Sequence, residues 1–306
     1  MINLPRPLQG IIPPVLTPLA DGDTLDVTAH RRLLEHLIEG AASALFILGS
    51  TGESPGLSGR LRREVINCTC ETVRQRVPVL VGITDTSFLE SVRLAEYAAQ
   101  SGATALVLSP PYYYGLSQST FLGYLERLTG LLPLPLYLYN MPSFTKIMIE
   151  PETVLRASEM PNVYGLKDSS GNREYFAKVQ KIMAHKPEFA LLIGIEEMLA
   201  EMVALGAHGG VCGGANLDPR LYVNLYEAAR RGDASALKPL QDKVLAISTG
   251  VYNVGDEKSS YLRGLKCASS LLGFGNGMMA EPYTAMTATE ADQIRQTLLQ
   301  VGLMGV

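Results

Sequence analysis

Pro78-Val79-Leu80-Val81-Gly82-Ile83, then the segment 88–100, then Ala105-Leu106-Val107-Leu108-Ser109: this stretch reads as strand, helix, strand, and it decides the fold. The outer runs are short and β-type, while the segment between them is amphipathic and runs into Gly102, which can stop a helix. Outward in both directions the same alternation repeats. β-type runs lie at 10–16, 44–49, 78–83, 105–109, 134–139, 163–167, 189–194 and 210–213, and helical patterns at 28–38, 57–73, 88–100, 118–129, 151–158, 173–185, 196–205 and 219–230. Eight parallel strands, each followed by a helix, close as a (β/α)8 TIM barrel rather than an open doubly wound sheet. After Arg231-Gly232 the strand signal stops and three helices are expected, at 234–248, 258–272 and 289–302. The expected organisation is a catalytic barrel over 8–232 with a C-terminal three-helix extension over 233–306.

Composition fits this reading and excludes others. The chain has 306 residues, 47% of them hydrophobic, enough for one large barrel core. Its 26 basic and 30 acidic residues give a formal charge of −4 with no basic stripe, so no nucleic-acid partner is expected. The segment Met1 to Pro7 has no signal-peptide character, and no stretch approaches about 18 uninterrupted apolar residues. A cytoplasmic protein with no membrane partner is expected. Cys68, Cys70, Cys212 and Cys267 are too few and scattered for a disulfide framework, and His30, His36, His185 and His208 show no metal-ligand spacing. No metal is therefore expected. Gly273-Phe274-Gly275-Asn276-Gly277 follows a helix rather than a strand, which makes it a turn and not a dinucleotide loop, and no Walker-type loop is present.

In such a barrel the working residues sit at the C-terminal ends of the strands. Here those ends read Gly49-Ser50-Thr51-Gly52-Glu53, Pro110-Pro111-Tyr112-Tyr113-Tyr114, Tyr139-Asn140-Met141-Pro142 and Gly165-Leu166-Lys167-Asp168. A lysine on a central strand is costly to bury as a cation, and burial favours the neutral amine, a nucleophile able to form an imine with a ketone. Period-two alternation puts Lys167 and Gly165 on one face and Asp168 on the other, so Asp168 need not hold the lysine as an ion pair. Tyr139, at the end of the preceding strand, can bring a phenol near the amine, where forming and dehydrating a carbinolamine needs a proton carrier. Ser50 and Thr51, set between glycines, offer hydroxyls and backbone amides to a carboxylate.

In order and spacing, these four segments resemble those of the dihydrodipicolinate synthase and N-acetylneuraminate lyase family, over the whole chain. The resemblance implies that Lys167 forms the imine, that Tyr139 shuttles protons, and that Ser50 links Tyr139 to Tyr113, a tyrosine that in much of the family reaches into the adjacent subunit's site. It further implies that Ser50 and Thr51, beside Gly49, hold the pyruvate carboxylate, and that the Val211 backbone lines the pyruvyl pocket. The imine would be the only cofactor-like group, and a homotetramer built as a dimer of dimers is implied.

Two departures bear on the second substrate. Family members that condense pyruvate with aspartate semialdehyde carry an arginine two residues beyond the proline of the Tyr-Asn-x-Pro segment, and here that position is Phe144. Losing a bidentate contact to a carboxylate costs on the order of 1.5–3 kcal/mol. Lys146 is near in sequence and offers partial compensation at most. Gly194-Ile195-Glu196-Glu197 is similar to the lyase segment whose acidic side chains bind a polyol, while the serine of sialic acid lyases is matched by Gly213. The resemblance thus favours an aldolase or lyase of a 2-keto-3-deoxy sugar acid or related 2-keto acid. Dihydrodipicolinate synthase, N-acetylneuraminate lyase, a 2-keto-3-deoxy acid dehydratase and a non-catalytic 2-keto-acid sensor are the alternatives.

Overall fold

The computed structural model describes residues 4–255 and 259–305. Its strands are β1 (Gly10–Ile11), β2 (Leu19–Asp21), β3 (Thr24–Leu25), β4 (Leu45–Ile47), β5 (Val79–Gly82), β6 (Ala105–Leu108), β7 (Leu136–Asn140), β8 (Val163–Asp168), β9 (Ala190–Ile193) and β10 (Gly209–Gly210). Eight of them form one sheet in the order β1-β10-β9-β8-β7-β6-β5-β4, with every neighbouring pair parallel. The two edges meet. Val15 N–H donates to the Phe46 carbonyl at 2.8 Å and Phe46 N–H to the Pro13 carbonyl at 3.0 Å, with Pro14 bridging Phe46, so the sheet curls into the expected (β/α)8 TIM barrel.

Several expected elements are shorter than the sequence suggests. The run at 10–16 is regular only over β1, because Pro13 and Pro14 have no N–H to give to a ladder. The run at 210–213 shifts to β10, and Gly213–Asn216 folds as a 3-10 turn. Two features had no expectation: β2 and β3 pair as an antiparallel hairpin outside the barrel, and Pro142–Thr145 forms a single helical turn. The helices start where short polar side chains cap them: Asp26, Ser58, Ser117, Asn172 and Asp218 each accept from a backbone N–H three residues on.

The barrel interior is lined by Leu8, Ile12, Phe46, Val107, Tyr137, Tyr139, Leu192 and Val211, a cluster distinct from the larger one between strands and helices. Beyond Gly232 the chain forms helices Ala234–Ile247, Ser260–Leu271 and Ala288–Gln300, with a π-helical turn at Ser248–Tyr252. The expected start of the second of these, Lys258, lies outside the described residues. These helices share the outer core through Val244, Ile247, Leu265, Ile294 and Leu298. Among the described residues, no helix is long and apolar enough to cross a membrane.

Candidate active site

β7 and β8 run in register so that Tyr139 lies opposite Lys167 and Asn140 opposite Asp168. Alternation then turns Tyr137, Tyr139, Gly165 and Lys167 into the barrel. Gly165 must be small, since a Cβ there would come within 2.7 Å of the Tyr137 ring. Lys167 is 6% exposed, and its Nζ lies 4.0 Å from the centroid of the Tyr139 ring and 5.2 Å from that of Phe46. Aromatic faces thus surround the amine. Asp168 points the other way: one carboxylate oxygen accepts from Asn140 Nδ2 at 2.8 Å and from the Ser170 N–H at 3.1 Å, and the other from Ser170 Oγ at 3.0 Å. Burial raises the Asp168 pKa, and the Asn140 and Ser170 hydrogen bonds oppose the rise. Among the described residues no carboxylate is ion-paired to Lys167.

The Tyr139 phenol is buried, with Ser50, Ser169 and Lys167 close enough to act on its charge. Burial alone would raise its pKa, but the Lys167 charge, with Ser50 and Ser169, outweighs it and holds the phenol below its ordinary range. Gly194 makes room for this constellation, because a Cβ there would lie 2.0 Å from Ser169 Oγ and 2.9 Å from Lys167 Cε. Gly49 similarly clears the Phe46 ring, whose nearest atom would be 2.7 Å from an added Cβ. Val211 is buried, with its N–H given to the Ile193 carbonyl at 2.8 Å.

The turn at 49–53 is anchored from two sides. Thr17 Oγ1 donates to the Gly52 carbonyl at 2.8 Å, and Glu53, in the left-handed region at φ 57°, sends its buried carboxylate to Lys266 Nζ and to the Ala280 N–H at 2.8 Å. Thr51 Oγ1 lies 3.3 Å from the Tyr261 hydroxyl, which belongs to the C-terminal segment. Glu196 is buried: its Oε1 accepts from the hydroxyls of Tyr222 and Tyr252, both at 2.5 Å, and its Oε2 from the Gly214 N–H at 3.0 Å. Burial raises the Glu196 pKa, against the pull of those three hydrogen bonds. Phe144, on the turn Pro142–Thr145, is 58% exposed, and Tyr113 is 67% exposed, its ring edge-on to Tyr114 at 5.0 Å. Lys146 Nζ donates to the Tyr113 carbonyl at 3.1 Å.

The dihydrodipicolinate synthetase family model matches residues 7–301 of the chain. The chain belongs to this family. It is similar to the structure of dihydrodipicolinate synthase from Bacteroides thetaiotaomicron, with 50% identity and a TM-score of 0.94 over 98% of this chain and 100% of that one. A prophage protein of the dihydrodipicolinic acid synthase family from Escherichia coli K12, solved in complex with pyruvate, is 29% identical with a TM-score of 0.90 over 97% and 99% of the two chains. The 4-hydroxy-tetrahydrodipicolinate synthase of Salinibacter ruber is 34% identical over 239 residues, 78% of each chain.

In this member of the dihydrodipicolinate synthetase family, the expected residues Lys167, Tyr139 and Ser50 converge inside the barrel, with Gly49, Thr51, Gly194 and Val211 around them. Tyr113 does not join them within one chain; it stands on the rim with Phe144. Glu196, expected to bind the hydroxyls of a polyol, has its carboxylate engaged by the hydroxyls of Tyr222, on the last barrel helix, and Tyr252, in the C-terminal segment, and by the Gly214 amide. Sequence reading missed Ser169 and Tyr261. The first was accessible, because the alternation that aligns Gly165 with Lys167 continues to Ser169. The second carries no local signal, since it meets Thr51 across 210 positions of sequence. Among the described residues no group of three or more His, Cys, Asp or Glu could hold a metal ion.

Proposed function

We propose that this family member is a Schiff-base lyase acting on pyruvate and a 2-keto-3-deoxy sugar acid or related 2-keto acid. The observation that carries the reading is Lys167: a buried amine without a carboxylate partner, register-paired with a Tyr139 phenol held below its ordinary pKa. The amine attacks the ketone carbon of the 2-keto acid to give a carbinolamine, which loses water to become an iminium. Tyr139, steadied by Ser50 and Ser169, carries the protons these steps require. In the cleavage direction Tyr139 removes the C4 hydroxyl proton, the C3–C4 bond breaks, and its electrons flow into the iminium. An aldehyde leaves, the enamine is protonated at C3, and hydrolysis frees pyruvate and the lysine. Ser50 and Thr51, with the amides of their turn, receive the substrate carboxylate. The imine itself is the electron sink, so the reading calls for no further cofactor.

Phe144 supports a second substrate that needs no guanidinium, and Lys146, close by in sequence, gives one hydrogen bond to the Tyr113 carbonyl. The names of the Bacteroides and Salinibacter relatives favour a second reading, condensation of pyruvate with aspartate semialdehyde. The outward Tyr113 supports assembly into a homotetramer in which it reaches a neighbouring copy's Ser50.

Borohydride reduction in the presence of pyruvate should add a pyruvyl-derived mass to the peptide containing Lys167, and Lys167→Met should abolish it. If conditions that label a known Schiff-base aldolase leave this peptide unmodified, the proposal fails. Pyruvate release from a panel of 2-keto-3-deoxy acids, run beside aspartate semialdehyde condensation, separates the two substrate readings.

A further inference from the structure

Three tyrosines stand close together over the barrel mouth, and they use their hydroxyls differently. Those of Tyr222 and Tyr252 are both given to Glu196. Tyr261, on the helix Ser260–Leu271, packs edge-on against Tyr252 with centroids 4.8 Å apart, and among the described residues its hydroxyl has one hydrogen-bond partner, Thr51 Oγ1 at 3.3 Å. A phenol can donate once and accept twice, so capacity remains. The residue is 36% exposed overall, while its hydroxyl end is enclosed.

The hydroxyl has a shaped place. A Cβ on Gly213 would come within 2.0 Å of it and 3.1 Å of Tyr261 Cζ, so the 3-10 turn after β10 must be bare where the phenol approaches. Thr51 on the other side adjoins Ser50, the partner of Tyr139. The phenol therefore sits between two strand-end turns that flank the pocket. Burial, followed by the nearby Glu196 charge, holds its pKa above the ordinary range, so it stays a neutral hydroxyl. A neutral hydroxyl beside a buried glutamate suits the hydroxyl groups of a ligand better than a second carboxylate.

We propose that Tyr261 is a specificity-determining residue whose hydroxyl, positioned by Thr51, binds a hydroxyl group on the non-pyruvyl half of the substrate, and that position 213 is glycine to admit it. This rests on the imine reading of Lys167. The experiment compares the native enzyme with Tyr261→Phe in borohydride trapping with pyruvate and in condensation of pyruvate with D-glyceraldehyde. Trapping on Lys167 should be the same in both. The KM for D-glyceraldehyde should rise about tenfold, the scale of one lost hydrogen bond, while kcat and the KM for pyruvate change less than about twofold. Gly213→Ala should raise the KM for D-glyceraldehyde in the native background and add little once Tyr261 is phenylalanine.

Absence of the adduct from both proteins overturns the imine reading and this proposal with it. Equal trapping with an unchanged KM for D-glyceraldehyde overturns the role of Tyr261 alone. Loss of trapping only in Tyr261→Phe assigns the residue to the pyruvyl half and overturns the proposal, as does a native enzyme that fails to condense pyruvate with D-glyceraldehyde.

Discussion

Tyr139 is set apart from an ordinary core tyrosine by the balance of two opposing effects. Burial penalises its phenolate, yet the Lys167 charge, with Ser50 and Ser169, more than offsets that penalty. By contrast Tyr137, two residues earlier on the same face of β7, is raised by burial, which the Arg6 charge opposes without overcoming it. A lowered pKa means that, as pH rises, Tyr139 loses its proton earlier than a free phenol would. If it is the base that takes the C4 proton, the cleavage rate climbs along a limb whose apparent pKa lies below 10, the ordinary phenol value. Tyr139→Phe should lower kcat by on the order of 100-fold or more, remove that limb, and leave the barrel folded. A kcat–pH profile of the variant that keeps the limb at native position would assign it to another group. Ser169→Ala is not equivalent, because Ser50 still holds the phenol.

At the scale of elements, the helix Ser260–Leu271 brings Tyr261 to the mouth, and its fixture is the contact between Lys266 and Glu53. Both side chains are buried. Burial pulls the Lys266 pKa below its usual value and Glu53 opposes that fall, so the Lys266 charge depends on Glu53. Lys266→Met should leave Glu53 buried with only the Ala280 N–H, costing about 3–5 kcal/mol in urea unfolding, whereas Glu53→Gln combined with Lys266→Met should recover much of the loss. Additive effects of the two substitutions would show that they do not stabilise one another. This contact also marks where sequence reading ends. The βα rhythm was legible because strand and helix periods are local, and Lys167, Tyr139 and Ser50 were legible because barrel chemistry gathers at strand ends. The pairings Glu53–Lys266 and Thr51–Tyr261 span more than 200 positions and leave no periodic trace. The tyrosine partners of Glu196 lie 26 and 56 positions away and likewise leave no periodic trace. β1 was over-extended because Pro13 and Pro14 sit in an otherwise apolar run, and β10 was misplaced because two glycines carry no side-chain pattern.

At the scale of the whole molecule, the relay proposed for Ser50 and Tyr139 is one that a single chain leaves open at one end. Ser50 lies by Tyr139, but the tyrosine expected on the far side of Ser50 is exposed, with Tyr113 at 67%, its ring neighbour Tyr114 at 77% and Phe144 at 58%. Exposed large aromatics are costly to leave in water, and covering them with a second copy would remove that cost. On the proposed function, the same docking brings a Tyr113 hydroxyl to the partner subunit's Ser50, and turnover then requires assembly. Specific activity should then fall on dilution in step with dissociation followed by mass photometry. Tyr113→Phe should lower kcat about tenfold with unchanged assembly and unchanged Tm, because a phenyl ring covers the same apolar surface but carries no proton. Borohydride trapping on Lys167 provides the internal control: the amine lies within one chain, so dissociated protein that remains folded should still react with pyruvate, only more slowly. Specific activity that stays constant through the dissociation transition would detach Tyr113 from the relay and leave Tyr139 to exchange protons through Ser50 and Ser169 alone.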